Sequence, residues 1–334
     1  MWLFLMIFLW FFSIFFPSYY ISELLISFLP YMLIISFWWL LLTIILLRNK
    51  KFRKVKNWKY AQILPLFILL LWLLFFLTSR QYNGFYTWEW FEDQNIIETW
   101  LQNIENNWMN ILYSNILYTN DDYTWLQDMI DQYSPDMIFM VEFTDEHNKY
   151  FKSKLKKDYP YSARTNWSQK YFGGVVFSKN PIVNLTHEVD QWAWRYTYFK
   201  TNHNGLNYYI YLIHTSSPIT YRHFVMRNKQ FNIISKDYLA HQKVRWEDDR
   251  VIMIWDFNVS PWSKYYKDFS YSLSWLQNIT TKFSHLFTRN ISYLPFIQSH
   301  IDHIFTSQDV EVWNIQIVDT PGSDHRWFYI ENIR

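Results

Sequence analysis

The chain has 334 residues and a net charge of only +2, so no global excess of either sign points to a polyanionic partner. Charged residues make up 18% and aromatics 22%, a balance shifted from ordinary soluble domains toward membrane-like composition. Cysteine is absent, which excludes disulfides, thiolate metal sites and a cysteine nucleophile.

The first elements in chain order are apolar runs. Residues 1–16, "MWLFLMIFLWFFSIFF", are broken only by Ser13; residues 24–47 and 61–77 follow. Their lengths and polarity predict about three transmembrane helices forming a membrane anchor over residues 1–80. The first ten residues lack the basic start of a cleaved signal. Between runs two and three stands "RNKKFRKVKNWK", with seven basic residues and no acid. Such a loop is expected on the cytoplasmic side. The short turn "PSYYISE" and everything after about residue 80 are then expected outside the cytoplasm, a multi-pass arrangement at the cell membrane.

Residues 81–108 are polar and read as a linker or juxtamembrane segment. From Met109 the pattern turns to alternating strands and helices, predicting a mixed α/β domain over 109–334. "MNILYSNIL", "PDMIFMVEF", "FGGVVFSK", "YTYFKTN", "NYYIYLIHT", "RVIMIWDFN", "SHIDHIFTS" and "VEVWNIQIV" read as strands, while 122–133 and 220–243 have helical spacing. Gly173 and Gly174 are not followed by a phosphate-loop pattern, so they are expected to permit close strand packing.

Glycine is scarce. There are 5 Gly and 20 Trp, whereas a chain of this length ordinarily carries roughly 23 Gly. Turns need residues that accept positive φ. The counts predict that many Trp letters stand for glycine, from UGA codons that mean Gly in the source gene.

Several strands end on the residue types used in phosphoester chemistry. Asn115 lies in the first strand and Glu142 closes the second. His214 ends "YYIYLIHT", Asp256 and Asn258 end "VIMIWDFN", Asp302 and His303 sit in "SHIDHIF", and Asp324 and His325 in "PGSDHRW". In open α/β folds ligands gather where strands end, so these groups are expected to converge. An acid closing a buried strand must be paired or coordinated, which makes Glu142 the best metal ligand. His303 neighbours Asp302 on one strand, so its side chain should face the other way.

The ordered blocks "PDMIFMVE", "YLIHTSSP", "WDFN", "IDHIF" and "SDH" resemble the signature of the endonuclease/exonuclease/phosphatase superfamily, over about residues 109–330. The superfamily includes DNase I-like nucleases, abasic-site endonucleases, sphingomyelinases and inositol-phosphate phosphatases. The apolar prefix is similar to that of a membrane-anchored bacterial subgroup. The resemblance implies a four-layer α/β sandwich, two packed β-sheets flanked by helices, behind an all-helical transmembrane segment. It also implies a divalent-metal-dependent phosphoesterase using Mg²⁺ or Mn²⁺.

Residue by residue, it implies Glu142, assisted by Asn115, as metal ligand, with Asp324 as a second contact. Asp256 would orient or deprotonate the attacking water and Asn258 would align it. His325 would contact the scissile phosphate, held by Asp302, and His214 would donate to a phosphate oxygen. The family's usual Gly-Asp-Phe-Asn reads Trp-Asp-Phe-Asn here, and Trp327 also stands where glycine is common, as the UGA reading expects. The substrate stays open between nucleic acid and phospholipid, with the bilayer as the other partner. A scattered basic set, Arg164, Lys170, Arg195 and Arg222, is the candidate nucleic-acid groove. A catalytically inactive scaffold on the same fold is the alternative.

Overall fold

In a computed structural model, the described residues are 108–165, 173–190, 193–243, 249–273, 275–280, 288–291 and 294–334, with 15–28 and isolated positions between 12 and 45. The chain divides into two compact units, one formed by Met1–Ser27 with Asp93–Arg334 and the other by Phe28–Glu92. Among the described residues no helix is long and apolar enough to cross a membrane. The second and third apolar runs, the basic loop and the 81–107 segment lie largely or wholly outside the described residues.

The first unit begins with helix α1 (Tyr20–Ile26). Then come β1 (Met109–Asn115), α2 (Tyr123–Tyr133), β2 (Met137–Val141), α3 (Asp145–Leu155), β3 (Tyr161–Arg164) and β4 (Gly174–Ser178). Next are β5 (Val183–Asp190), β6 (Ala193–His203), β7 (Leu206–His214), α4 (Tyr221–Gln242), β8 (Arg250–Asp256) and α5 (Lys264–Ser272). The chain closes with β9 (Leu276–Asn278), β10 (Arg289–Ile291), β11 (Leu294–Ser299), β12 (Asp302–Ser307), β13 (Val312–Val318) and β14 (Trp327–Ile333).

Two six-stranded sheets carry the fold, in the orders β13-β14-β1-β2-β4-β3 and β5-β6-β7-β8-β12-β9. Strands β1 and β2 are parallel across α2, and β7 and β8 are parallel across α4; their other neighbours in each sheet are antiparallel. A parallel pair needs a crossover, which these helices supply. Period-two alternation splits β1 between two cores. Ile111 and Tyr113 join Met137, Phe139, Ile210 and Leu212 between the sheets. Leu112 joins Ile138, Met140, Leu126, Ile130 and Phe151 under α2 and α3. Phe231, Ile234 and Phe269 of α4 and α5 extend the first cluster over the second sheet. The expected layering of two packed sheets flanked by helices is the one observed.

Local sequence explains the turns near the strand ends. Thr144 caps α3 and forms a capping box with His147, whose other ring nitrogen lies 2.8 Å from the Asn120 carbonyl. His147 is therefore structural. A Cβ on Gly173 would meet the Phe143 carbonyl oxygen at 2.0 Å, so this glycine exists for close backbone approach, as expected. The Phe143 N–H donates to that glycine's carbonyl at 2.9 Å, fixing the chain just after Glu142.

Candidate active site

The register of the two sheets brings the strand ends together. Asn115 pairs with Val141, one residue before Glu142, and His214 pairs with Asp256 at the ends of parallel strands. Asp302 opens β12 opposite Asp256. His325 precedes β14, the antiparallel partner of β1. Residues more than a hundred positions apart thus share one end of the sandwich.

Asn115 is the bridge. Its side-chain N–H group donates to Glu142 Oε1 at 2.9 Å and to Asp256 Oδ2 at 3.1 Å. The Tyr118 N–H donates to the second oxygen of Glu142. His214 Nε2 lies 3.9 Å from Glu142 Oε1 and 3.7 Å from Asp256 Oδ2. His325 places Nδ1 3.1 Å from Asp302 Oδ2 and Nε2 3.5 Å from Asp256 Oδ2. Asn258 donates its backbone N–H to Asp256 Oδ1 and its side-chain N–H to the Thr215 carbonyl. It thus makes an Asx turn and sits in the site as well.

Two of these residues sit in the left-handed region: Glu142 at φ 59° and Asn258 at φ 49°. Asn tolerates this locally, while a Glu there is strained. Such strain persists where surrounding structure over-determines it, and it clusters at functional positions.

Electrostatics divide the labour. Burial raises the Asp256 carboxyl above the usual range, and the nearby imidazole of His325 opposes that rise. Burial alone would lower His325, but Asp302 and then Asp256 overcome it and lift the imidazole to about 9. His214 goes the other way, lowered chiefly by desolvation. The site therefore holds one imidazolium and one neutral imidazole at neutral pH.

Ligand atoms of Asp256, Asp302 and His325 lie within 4.8 Å of one another, a spacing a cation could use. Asp302 is nevertheless fully engaged: it accepts from Tyr113 at 3.0 Å and from Thr288, and holds His325 Nδ1. The part of the cluster that reaches solvent is Glu142, with its side chain 15% exposed. Hard oxygen donors of Glu142, backed by Asn115 and Asp256, suit a divalent ion that retains waters.

Most expected residues converge, with two qualifications. The Asp324 carboxylate is occupied by Arg289 at 2.9 Å. His303 faces away as expected, with Nε2 2.9 Å from the Val259 carbonyl and its ring against Tyr266. Of the basic groove set, Arg164 pairs with Asp145 and Arg222 stands exposed in the first turn of α4, while Lys170 and the Arg195 side chain lie outside the described residues. Sequence reasoning missed Tyr113, Thr288 and Arg289. Tyr113 was findable, because it lies two residues before Asn115 and so shares its face of β1. Thr288 immediately precedes and Arg289 opens the short strand β10, which is too brief to give a periodic signal.

A mixed two-sheet sandwich with carboxylates, amides and an Asp-held imidazole at one end defines a phosphoester hydrolase of the metal-dependent kind. The sequence profile of the Endonuclease/Exonuclease/phosphatase family matches residues 103–325, and the chain belongs to that family. It is accordingly a hydrolase acting on phosphoester bonds, in a family whose members depend on divalent metals. No curated protein matches the sequence. Among solved structures, D. rerio TDP2 complexed with single-strand DNA product is similar at TM-score 0.57 and 16% identity, covering 68% of this chain and 98% of that one. The 3′ phosphatase NExo from Neisseria, bound to product DNA hairpin, gives 0.55 and 15%, covering 67% and 99%. The human Nocturnin catalytic domain with bound sulfate gives 0.53 and 17%, covering 67% and 93%. At these identities the likeness is one of fold.

Proposed function

We propose that the protein is a membrane-anchored phosphoesterase, dependent on Mg²⁺ or Mn²⁺, that hydrolyses nucleic-acid phosphodiester or phosphomonoester bonds outside the cytoplasm. The observation that carries this reading is the convergence of Glu142, Asn115, Asp256, His325 and His214 at one end of the sandwich. Residues 1–80 act as the anchor, 81–108 as the linker and 109–334 as the catalytic part.

Glu142 is the principal ligand, with Asn115 fixing its carboxylate and Asp324 as a second contact when released from Arg289. When bound, the divalent ion neutralises phosphate oxygens. Asp256, buried and beside Asn258, takes the proton of the attacking water. Asn258 aligns that water against phosphorus; as the new P–O bond forms, the ester P–O bond breaks and the leaving oxygen takes up a proton from solvent. His325, kept protonated by Asp302, donates from Nε2 to the phosphate as charge builds. His214 donates to a second oxygen, and the half-exposed Arg289 adds positive charge at the rim.

Two structural neighbours hold DNA, which favours nucleic acid over lipid as the substrate. Extracytoplasmic placement is supported by the basic loop at 48–59. It is also supported by the contact between the 18–27 segment and the domain, which requires both on one side of a membrane.

The test uses the full chain in detergent with Mg²⁺, against single-stranded DNA, RNA, sphingomyelin and a simple phosphodiester. Turnover of nucleic acid that is abolished by EDTA and by Glu142→Ala or His325→Ala is expected. Preference for sphingomyelin would move the substrate to lipid, and full activity in both variants would remove the mechanism. Protease added to intact cells should cleave within 109–334; protection there would reverse the topology.

A further inference from the structure

Glu23 is the lone acid among the apolar runs of the first 80 residues, and nothing in the catalytic chemistry uses it. The structure nevertheless buries it in the catalytic unit. Its Oε1 pairs with Arg227 Nη1 of α4 at 3.1 Å, with side chains 1% and 0% exposed. Its Oε2 accepts from the Ser263 hydroxyl at 2.6 Å, and that hydroxyl in turn caps α5. Tyr20 donates to the Ile219 carbonyl in the loop after β7, and Tyr265 donates to the Ser18 carbonyl. The Tyr20 ring packs on Phe224 at 5.5 Å between centroids.

Arg227 does a second thing with the same nitrogen. Nη1 donates to the backbone carbonyl of Asn258 at 2.8 Å. Asn258 is the residue held at positive φ beside Asp256. The chain of contacts therefore runs from the N-terminal segment through one buried guanidinium to the active-site turn.

We propose that Glu23 is a positioning residue: by holding Arg227, it fixes the Asn258 turn, so the segment between the first two apolar runs sets the geometry of the active site. This rests on the reading of Asn258 as part of the catalytic machinery. The physical reason is asymmetry. A buried charge pair is stable in place, whereas loss of one member leaves the other uncompensated. Arg227 without Glu23 would turn toward solvent and release the Asn258 carbonyl. A catalytic domain cut away from residues 1–27 would suffer the same loss.

The experiment compares the full-length wild type with Glu23→Gln and with Glu23→Leu/Arg227→Met. Each is assayed well below its melting temperature on a simple phosphodiester, and the backbone amide of Asn258 is followed in ¹⁵N-asparagine-labelled chain. Glu23→Gln should lower kcat about 10-fold to 100-fold with KM within about twofold, as small misplacements do. It should also lower the thermal midpoint by roughly 10 °C and shift the Asn258 amide. The apolar pair should regain most of the midpoint, because it removes the unpaired charge, but not kcat, because methionine cannot donate to the Asn258 carbonyl.

Recovery of kcat together with the midpoint would show that the pair only packs, and an unmoved Asn258 amide in Glu23→Gln would end the idea. Absence of phosphoester turnover in the wild type would strike the proposed function instead, while the amide shift would still decide the brace.

Discussion

At the residue scale, Glu142 concentrates the trade between stability and function. It combines a left-handed backbone with a carboxylate crowded against Asp256 across Asn115. Strain of this kind costs about 1–3 kcal/mol and is relieved by glycine. Glu142→Gly is therefore expected to keep or raise the denaturation midpoint while cutting turnover by at least about 10³-fold, read by urea melts and assay of the same preparation. His325 gives a second residue-scale prediction. Asp302 and Asp256 raise its imidazole to about 9, so the proton it donates is present below that pH and lost above it. Activity should fall as pH rises through about 9. Asp302→Asn removes the larger raising charge, so the fall should move to lower pH, with kcat down about 10²–10⁴-fold. An unmoved alkaline limb would mean that His325 is not the donor.

Also at this scale, Trp327 is wholly buried, its indole N–H has no acceptor among the described residues, and its ring meets Trp125 edge-on. A buried donor left unsatisfied is a local inconsistency. Glycine at this position removes it, in keeping with the UGA reading. Codons for residues 255 and 327 are expected to be UGA in the source gene, and UGG at both would refute the reading for these positions.

Among the elements, the β2–α3 connection is tightly constrained. The 2.0 Å approach of a notional Gly173 Cβ to the Phe143 carbonyl means that even alanine forces backbone movement one residue from Glu142. Gly173→Ala is expected to cost about 1–3 kcal/mol of stability and to depress activity beyond that, measured by chemical denaturation and by kcat below the midpoint. Wild-type kcat in a destabilised Gly173→Ala would show that the Glu142 turn is set elsewhere. At the same scale, strands with uninterrupted apolar patterns, such as Met137–Val141 and Val251–Ile254, were legible in the sequence because both faces are buried. The short edges β3 and β9 and the α5 helix were not. Their sequences are mixed in polarity, and pairing with β4 and β12 or packing on the second sheet is what defines them.

For the whole molecule, the parallel crossovers of α2 and α4 place the carboxyl ends of β1, β2, β7 and β8 at one edge of the two sheets. That is why groups spread from Asn115 to His325 meet. The order of family-like blocks along the chain was enough to name Glu142, Asn115, His214, Asp256, Asn258, Asp302 and His325, which lie at or within two residues of strand ends. It could not reveal that Asp324 is taken by Arg289, nor that Tyr113 and Thr288 hold Asp302. It also gave Glu23 to an external turn, where the fold makes it a buried partner of Arg227.

By itself, then, the sequence determined the α/β class and the strands with both faces buried, because periodicity is a local property, while the candidate site residues were named through the resemblance of its ordered blocks to a family. Only the tertiary structure decided which carboxylate is raised by burial, which holds an imidazole and which is already spent on a guanidinium. Those outcomes depend on distances of a few ångströms between segments far apart in the chain, and on the loss of water around them, which no local pattern records.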